Sequence, residues 1–348
     1  MNKSLSSSKR VQLALQGHRP DRVPILEFII DEKVWRTLEP DAIDMADAMD
    51  RMGYDGIGCG AEFDRIEEFP DGSYRDEWGV TYKPGTEAVD HPVTGPISCM
   101  ADAEAYEPPD PEAPGRLGKL PGIVERFQGK RAICFHHRAA FMWSAYLMGI
   151  ENLLIALLTE QELAVTVLDK VLSVNMAVVR RAIRAGAEVI ILGDDYAANT
   201  APLFSPEIFR EFIAPRLTAM IRMIHDEGAQ VIKHSDGNLY PILDDIVACG
   251  PDGLNPIEPV AGMTLTETRR RVGPSLCLCG NIDCGELLSH GTPEAVSAAV
   301  KQAMRDGAAQ GPFILASSNS VHSSCNPANV RAMLEAGRTF GILKEIQP

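Results

Sequence analysis

Positive charge is scarce in this 348-residue chain: 33 Lys and Arg stand against 48 Asp and Glu, a formal net charge of −15 at pH 7. That deficit excludes nucleic acid as a partner, because phosphate recognition needs a basic face. It argues equally against an anionic membrane surface. Long apolar runs are missing as well. No stretch reaches the roughly 18 uninterrupted apolar residues of a membrane span, and the basic opening MNKSLSSSKR leads into no signal-like apolar segment. A cytoplasmic protein with no membrane partner is expected. Aromatic residues are only 6%. No GxGxxG follows the first strand-like run, which removes the main reason to expect a dinucleotide fold. The eight cysteines are scattered over the whole chain, so no compact disulfide framework is expected. They read as small buried hydrophobes, with one or two available as metal ligands.

What is present is an alternating pattern. Eight short β-rich runs end in polar residues, at 24–30, 54–60, 132–137, 188–195, 229–237, 253–259, 276–283 and 313–320. Several are continuously apolar at their start, as strands buried on both faces should be. Helical patterns lie between most of them. One is expected over 41–52, and one long or two consecutive helices over 151–186. In 205–228, Ser205 caps, Pro206 takes the first helical position, Pro215 predicts a kink and Gly228 ends the helix. Segments 292–307 and 326–337 repeat that grammar with Thr292 and Asn326 as caps. Eight strands alternating with helices predict an α/β fold of the (β/α)8 TIM-barrel type, with an open doubly wound sheet as the rival. Residues 61–131 interrupt the rhythm between strands two and three. They read as an insertion over one face of a single 1–348 domain, with a hairpin turning at Asp71-Gly72 and a proline-rich connection over 107–115. A substrate-contacting lid and surface decoration are equally open as its role.

In such barrels the active site forms at the C-terminal ends of the strands. Those ends carry Glu27, Cys59, His136-His137, Asp194-Asp195, His234 with Asp236, Glu258, Asn281 with Asp283, and Asn319, His322 and Cys325. His234 and Asp236, two apart on one strand, face the same way and can share a metal. Glu258 or Cys325 is available as a third ligand, leaving zinc an open position. Asp194 and Asp195 follow a buried strand and suit substrate orientation, proton donation or cation binding. Only one of the adjacent His136 and His137 can point inward. Cys277, Cys279 and Cys284 lack a zinc-knuckle spacing and read as packing. Phe28, Trp35, Phe63, Trp78, Phe141 and Trp143 are available as apolar pocket walls.

The order HRPDRVP (18–24), the GDD of strand four, SPEIFREFIAPRL, VIKHSDGN, LNPIEP, CGNID and NSVHSSCNPANVRAMLEAG resembles the uroporphyrinogen decarboxylase superfamily, in particular its cobalamin-dependent methyltransferase branch. The resemblance implies a (β/α)8 barrel. Its decarboxylases carry an arginine-bearing RQAGRY-like segment that clamps substrate carboxylates. Here PILEFIIDEKVW (24–35) has no arginine and three acids, Glu27, Asp31 and Glu32. The methyltransferase branch implies zinc held by a His-x-Cys pair and a distant cysteine. His234 and Cys325 match that pattern, Asp236 stands where the second thiolate would be, and Glu258 lies where some members offer a glutamate.

Fewer thiolates leave zinc more Lewis acidic, which suits departure of an oxygen rather than activation of a thiol. The expected reaction moves a methyl group from a small methoxylated donor, aromatic or not, to the cobalamin of a partner corrinoid protein. Asp195 or His322 would be the proton donor, with substrate contacts from Asp194, His136, Asn281, Asp283 and Asn319. The alternative is a metal-free decarboxylase of a small acid. A ligand-binding accessory subunit without turnover is the non-enzymatic alternative.

Overall fold

The computed structural model describes residues 5–85 and 90–342. Seven strands form one parallel sheet: β1 (Gly56–Gly60), β6 (Ala132–His137), β7 (Val189–Gly193), β8 (Gln230–His234), β9 (Gly253–Asn255), β10 (Cys277–Ile282) and β11 (Phe313–Ser317), each hydrogen-bonded to the next in that order. Each is preceded by a helix-bearing crossover, and a right-twisted strand feeding a right-handed helix packs back only on one side. The sheet therefore curls in one direction.

The run expected as the first strand, 24–30, lies between the two edges of this sheet without forming a regular ladder. Leu26 N–H donates to Leu315 O (3.0 Å) and Leu315 N–H to Pro24 O (2.9 Å). On the other side Asp55 N–H donates to Ile25 O (2.8 Å). Isolated bridges pair Ile25 with Leu315 and Ile30 with Val321. The irregularity has an identifiable cause. Pro24 has no N–H to give, and the Ile25 N–H is taken by the Asp55 carboxylate at 2.9 Å.

Alternation along the strands divides the apolar residues into two cores. Cys134, Val189, Ile191, Ile232, Cys277, Cys279 and Ile314 point inward and pack together. Ile190, Leu192, Val231, Leu254 and Leu278 point outward under the helices. The helix Ser7–Leu15 plugs the end of the barrel where the strands begin, inserting Val11, Ala14 and Leu15 into the inner core. The cysteines of β10 are thus packing residues.

The helices follow the expected grammar with small departures. Ser205, Thr292 and Asn326 accept from the N–H groups of Ile208, Ala295 and Ala328. The break expected at Pro215 takes the form of a π-helical turn over Phe209–Ile213 just before it. The helix expected over 41–52 starts later, at Met45, because Asp44 rather than Asp41 supplies the cap. The 151–186 segment divides into Ile150–Thr159 and Gln161–Arg184. No single helix among the described residues is long and apolar enough to cross a membrane.

The insertion holds more than the expected hairpin. β2 (Arg65–Glu68), β3 (Tyr74–Asp76), β4 (Thr81–Lys83) and β5 (His91–Thr94) form a four-stranded antiparallel sheet. Between β2 and β3, Gly72 takes φ +85° in the tight turn. Trp78, fully buried, stacks on Trp143 at 4.9 Å, with Phe63 beside both. Arg116 follows the proline-rich connection and pairs with Glu77 at 2.5 Å while almost wholly buried. These contacts seat the insertion beside the C-terminal end of β6.

Candidate active site

At the C-terminal ends of the strands lies a cavity of about 340 Å³. Three of its side chains, Asp195, His234 and Asp236, bring ligand-capable atoms within 4.8 Å of one another. Strand register explains the meeting: His234 ends β8 opposite Gly193 of β7 and Asn255 of β9. Asp195 lies two residues past Gly193, and Asp236 two past His234.

The imidazole is oriented from behind. Asn255, buried at the end of β9, donates through Nδ2 to Cys279 O (3.3 Å), which leaves its Oδ1 to accept from His234 Nδ1 at 2.5 Å. That hydrogen bond puts a proton on Nδ1 and turns Nε2 toward the acids. Nε2 lies 3.5 Å from Asp236 Oδ1 and 3.8 Å from Asp195 Oδ1. Asp236 Oδ2 accepts from Asn319 Nδ2 at 2.6 Å, whereas its Oδ1 is buried with no hydrogen-bond partner among the described residues. The Asp236 N–H donates to Asp195 Oδ1 at 3.1 Å. Burial pushes the Asp236 carboxyl up to about 6; Asp195 and Glu258 add to the rise and His234 opposes it. One imidazole nitrogen and two carboxylates, one with an orphaned buried oxygen, form an N/O donor set that fits a divalent cation such as zinc.

The walls are mixed. Phe28 sets its edge against His234 and His136, with ring centroids 5.9 and 5.8 Å away. Burial lowers His136 to about 4, with His234 acting in the same sense, so the ring stays neutral. Gly58 allows that ring to lie where it does, since a Cβ there would stand 2.5 Å from His136 Nε2. Trp143 and Arg138 line the side nearest the insertion. Beneath the site, burial lowers the Lys233 amine to about 8; it donates to Asp194 O at 2.6 Å and sits over the Tyr196 ring.

Of the expected site residues, the structure brings Asp195, His234, Asp236, Asn319 and His136 to this cavity. The others are placed elsewhere. Asp194 is fully buried, and its carboxylate accepts from the N–H groups of Ala140, Phe141 and Met142 at 3.0–3.1 Å; it caps the helix Phe141–Met148 instead of facing substrate. Cys325 is not a ligand of this cluster. Its thiol packs away from the mouth, donating to Cys284 O and accepting from Ser289 Oγ, and burial raises it. Glu258 lies near Asp236 but outside the triad, accepting from Gly237 N–H at 2.7 Å. Asp283 caps its own turn through the N–H groups of Gly285, Glu286 and Leu287. Asn281 donates to Ile257 O at 3.0 Å, and His322 accepts from Ser324 N–H; neither lines the cavity. His136 is the inward-facing member of its pair, whereas the His137 ring packs under the helices beside Phe135, Trp143 and Asn175, as expected for its neighbour on the strand. Asn255 and Arg138 were not singled out from sequence. Asn255 was visible as the polar end of the LNPIEP run, but nothing in its type distinguishes a support from a ligand.

A family profile for uroporphyrinogen decarboxylase (URO-D) matches residues 76–340. The chain belongs to this family. A uroporphyrinogen decarboxylase from Coxiella burnetii is 27% identical over 194 residues, covering 52% of this chain and 48% of that protein. A methylated-thiol–coenzyme M methyltransferase from Methanosarcina mazei is 25% identical over 249 residues, covering 70% of this chain and 64% of that one. The chain thus spans about half the length of the first relative and under two thirds of the second. The solved structure of a methyltransferase from Methanosarcina mazei superposes with a TM-score of 0.77 at 18% identity, covering 97% of this chain and 99% of the other, and so has the same fold.

Proposed function

We propose that this URO-D family member is a metal-assisted methyltransferase that moves a methyl group from a small methoxylated substrate to the corrinoid of a separate carrier protein. The observation that carries the reading is the Asp195–His234–Asp236 cluster, with Nε2 of His234 turned toward both carboxylates and Oδ1 of Asp236 without a hydrogen-bond partner. The methylated-thiol–coenzyme M methyltransferase of Methanosarcina mazei, 25% identical over 249 residues, adds support for the class of reaction. No thiolate lies in the cluster, which favours an oxygen-bearing donor over a thiol.

His234, Asp195 and Asp236 would hold zinc, with Asn255 keeping the imidazole in its ligating tautomer. Zinc bound there would supply Lewis acidity toward the ether oxygen. Phe28, Ile29 and Ile191 give the cavity an apolar wall. Methyl transfer to the carrier's corrinoid would leave the electron pair of the C–O bond on oxygen, where zinc held by these residues would stabilise it. With Asp195 ionised as a ligand, the proton that completes the released alcohol or phenol would come from solvent.

The test supplies purified protein with zinc, a reduced corrinoid carrier and a panel of methoxylated compounds, and follows the absorbance of methyl-cobalamin. Methyl-corrinoid should appear, and His234→Ala and Asp236→Asn should abolish both stoichiometric zinc binding and transfer. A protein that binds no zinc and acts as a decarboxylase unaffected by His234→Ala overturns the reading.

A further inference from the structure

One cation on the cavity wall, Arg138, forms no ion pair among the described residues. Arg138 follows β6 and lines the same cavity as Asp195 and His234. A guanidinium has five N–H donors. Here one donates to Gly193 O at 3.1 Å, and the group lies near the rings of Tyr146 (5.3 Å) and Trp143 (5.9 Å). Among the described residues no carboxylate forms an ion pair with it. Asp194 and Asp195 attract it at a distance without bonding to it; Asp194 accepts from three backbone amides and Asp195 from the Asp236 N–H.

Other buried arginines are treated differently. Arg10 pairs with Asp21 and Asp55, and Arg116 with Glu77. Arg269, also without a carboxylate, spends its guanidinium on the carbonyls of Gly273, Leu276 and Pro312. Arg138 alone of these keeps most of its donors open, and it keeps them open toward a cavity. A planar fork held against aromatic rings matches a carboxylate in geometry as well as charge.

The cavity is therefore polarised. Asp195 and Asp236 stand at the metal-binding end and Arg138 at the wall nearest Trp143, with Phe28, Ile29 and Ile191 also lining it. We propose that Arg138 anchors a carboxylate of the substrate, so that the cavity takes a small acid with an apolar body. The identity of the transferred group rests on the methyl-transfer reading above; the charge of the ligand does not. In that reading the donor is a methoxylated acid, bound by its carboxylate at Arg138 with its methoxyl group at the metal-binding end.

Two near-isosteric probes test this, 4-methoxybenzoate and the neutral 4-methoxybenzamide. Binding of each to the zinc-loaded protein is measured by calorimetry, with tryptophan fluorescence as a second readout. The acid should bind at least about tenfold more tightly than the amide, the order expected of a charge-assisted hydrogen-bonded pair. Arg138→Gln should collapse that ratio to about one, and Arg138→Lys should restore part of it, because a point charge keeps attraction but loses the fork. An acid that binds no better than the amide in the unmodified protein overturns the proposal without any variant. So does a ratio that survives Arg138→Gln, which would put the carboxylate on the metal. Methyl transfer to the corrinoid carrier is followed in parallel. Acid preference without transfer supports the anchor and overturns the methyl-transfer reading. Transfer from both probes without acid preference does the reverse.

Discussion

Glu27 sits on the segment that closes the barrel, buried against Ser317 of β11. It accepts from the Ser317 N–H at 3.2 Å and lies 2.9 Å from Ser317 Oγ, which also contacts Asn319 O. Ser317 has one hydroxyl proton, so a protonated Glu27 that donates to Oγ lets that proton go to Asn319. Burial, only partly offset by these bonds, raises Glu27 from 4.5 to about 7. The folded state therefore keeps a proton that the unfolded state gives up between those values. The stability associated with this group is fully present below about pH 4.5 and falls as pH rises toward 7. Glu27→Gln, a neutral isostere, should flatten that slope. At pH 8 the variant should gain about 2–3 kcal/mol relative to the wild type, measured by denaturant unfolding at pH 5 and 8. Equal pH slopes would contradict this. At Asn255 the expected effect is on metal affinity: Asn255→Ala should weaken zinc binding about 10- to 100-fold in a chelator competition, because the imidazole loses the acceptor that fixes its tautomer. Unchanged affinity would remove Asn255 from that role.

At the scale of elements, Asp194 shows how a polar strand end can serve packing rather than chemistry. Three helix N-terminal amides converge on its carboxylate. Asp194→Asn exchanges one accepting oxygen for an NH2 that can only donate. The expected cost is about 2–3 kcal/mol of stability, read from the denaturation midpoint. Lost substrate affinity with an unchanged midpoint would instead return Asp194 to the site. Asp194 and Asp195 are neighbours of identical type, so nothing in their spacing tells the cap from the cavity residue. Strand ends were legible because buried parallel strands are apolar runs that stop abruptly. The caps Ser205, Thr292 and Asn326 were legible because their signal is local. The first strand's irregularity was not, since it depends on Asp55, thirty residues away, reaching the Ile25 amide.

Across the whole molecule, the acidic balance has two ends. Where the strands begin, Arg22 of the HRPDRVP segment and Arg10 of the helix Ser7–Leu15 serve the fold: both pair with the fully buried Asp55, at 2.8 and 2.9 Å. Asp55→Asn leaves two cations facing a neutral group and should cost about 3–5 kcal/mol, lowering the urea midpoint. Zinc stoichiometry should stay intact, because the strand starts lie at the opposite end from the cavity. A normal midpoint, or a lost metal, would contradict this arrangement. Where the strands end, acids gather around His234 and a single open arginine faces them. The insertion, read as a lid or as decoration, packs Trp78 against Trp143, one of the cavity's own walls.

Alternation of apolar runs, helix caps and the charge deficit are properties of neighbours along the chain, and they sufficed for the barrel class and for the polar strand ends. Which polar residues meet there is a matter of strand register and of competing hydrogen-bond partners far apart in sequence. That is why Cys325, matched by pattern, turned out to be packed beside Cys284, and why Asn255 and Arg138 emerged only when β6, β8 and β9 lay side by side.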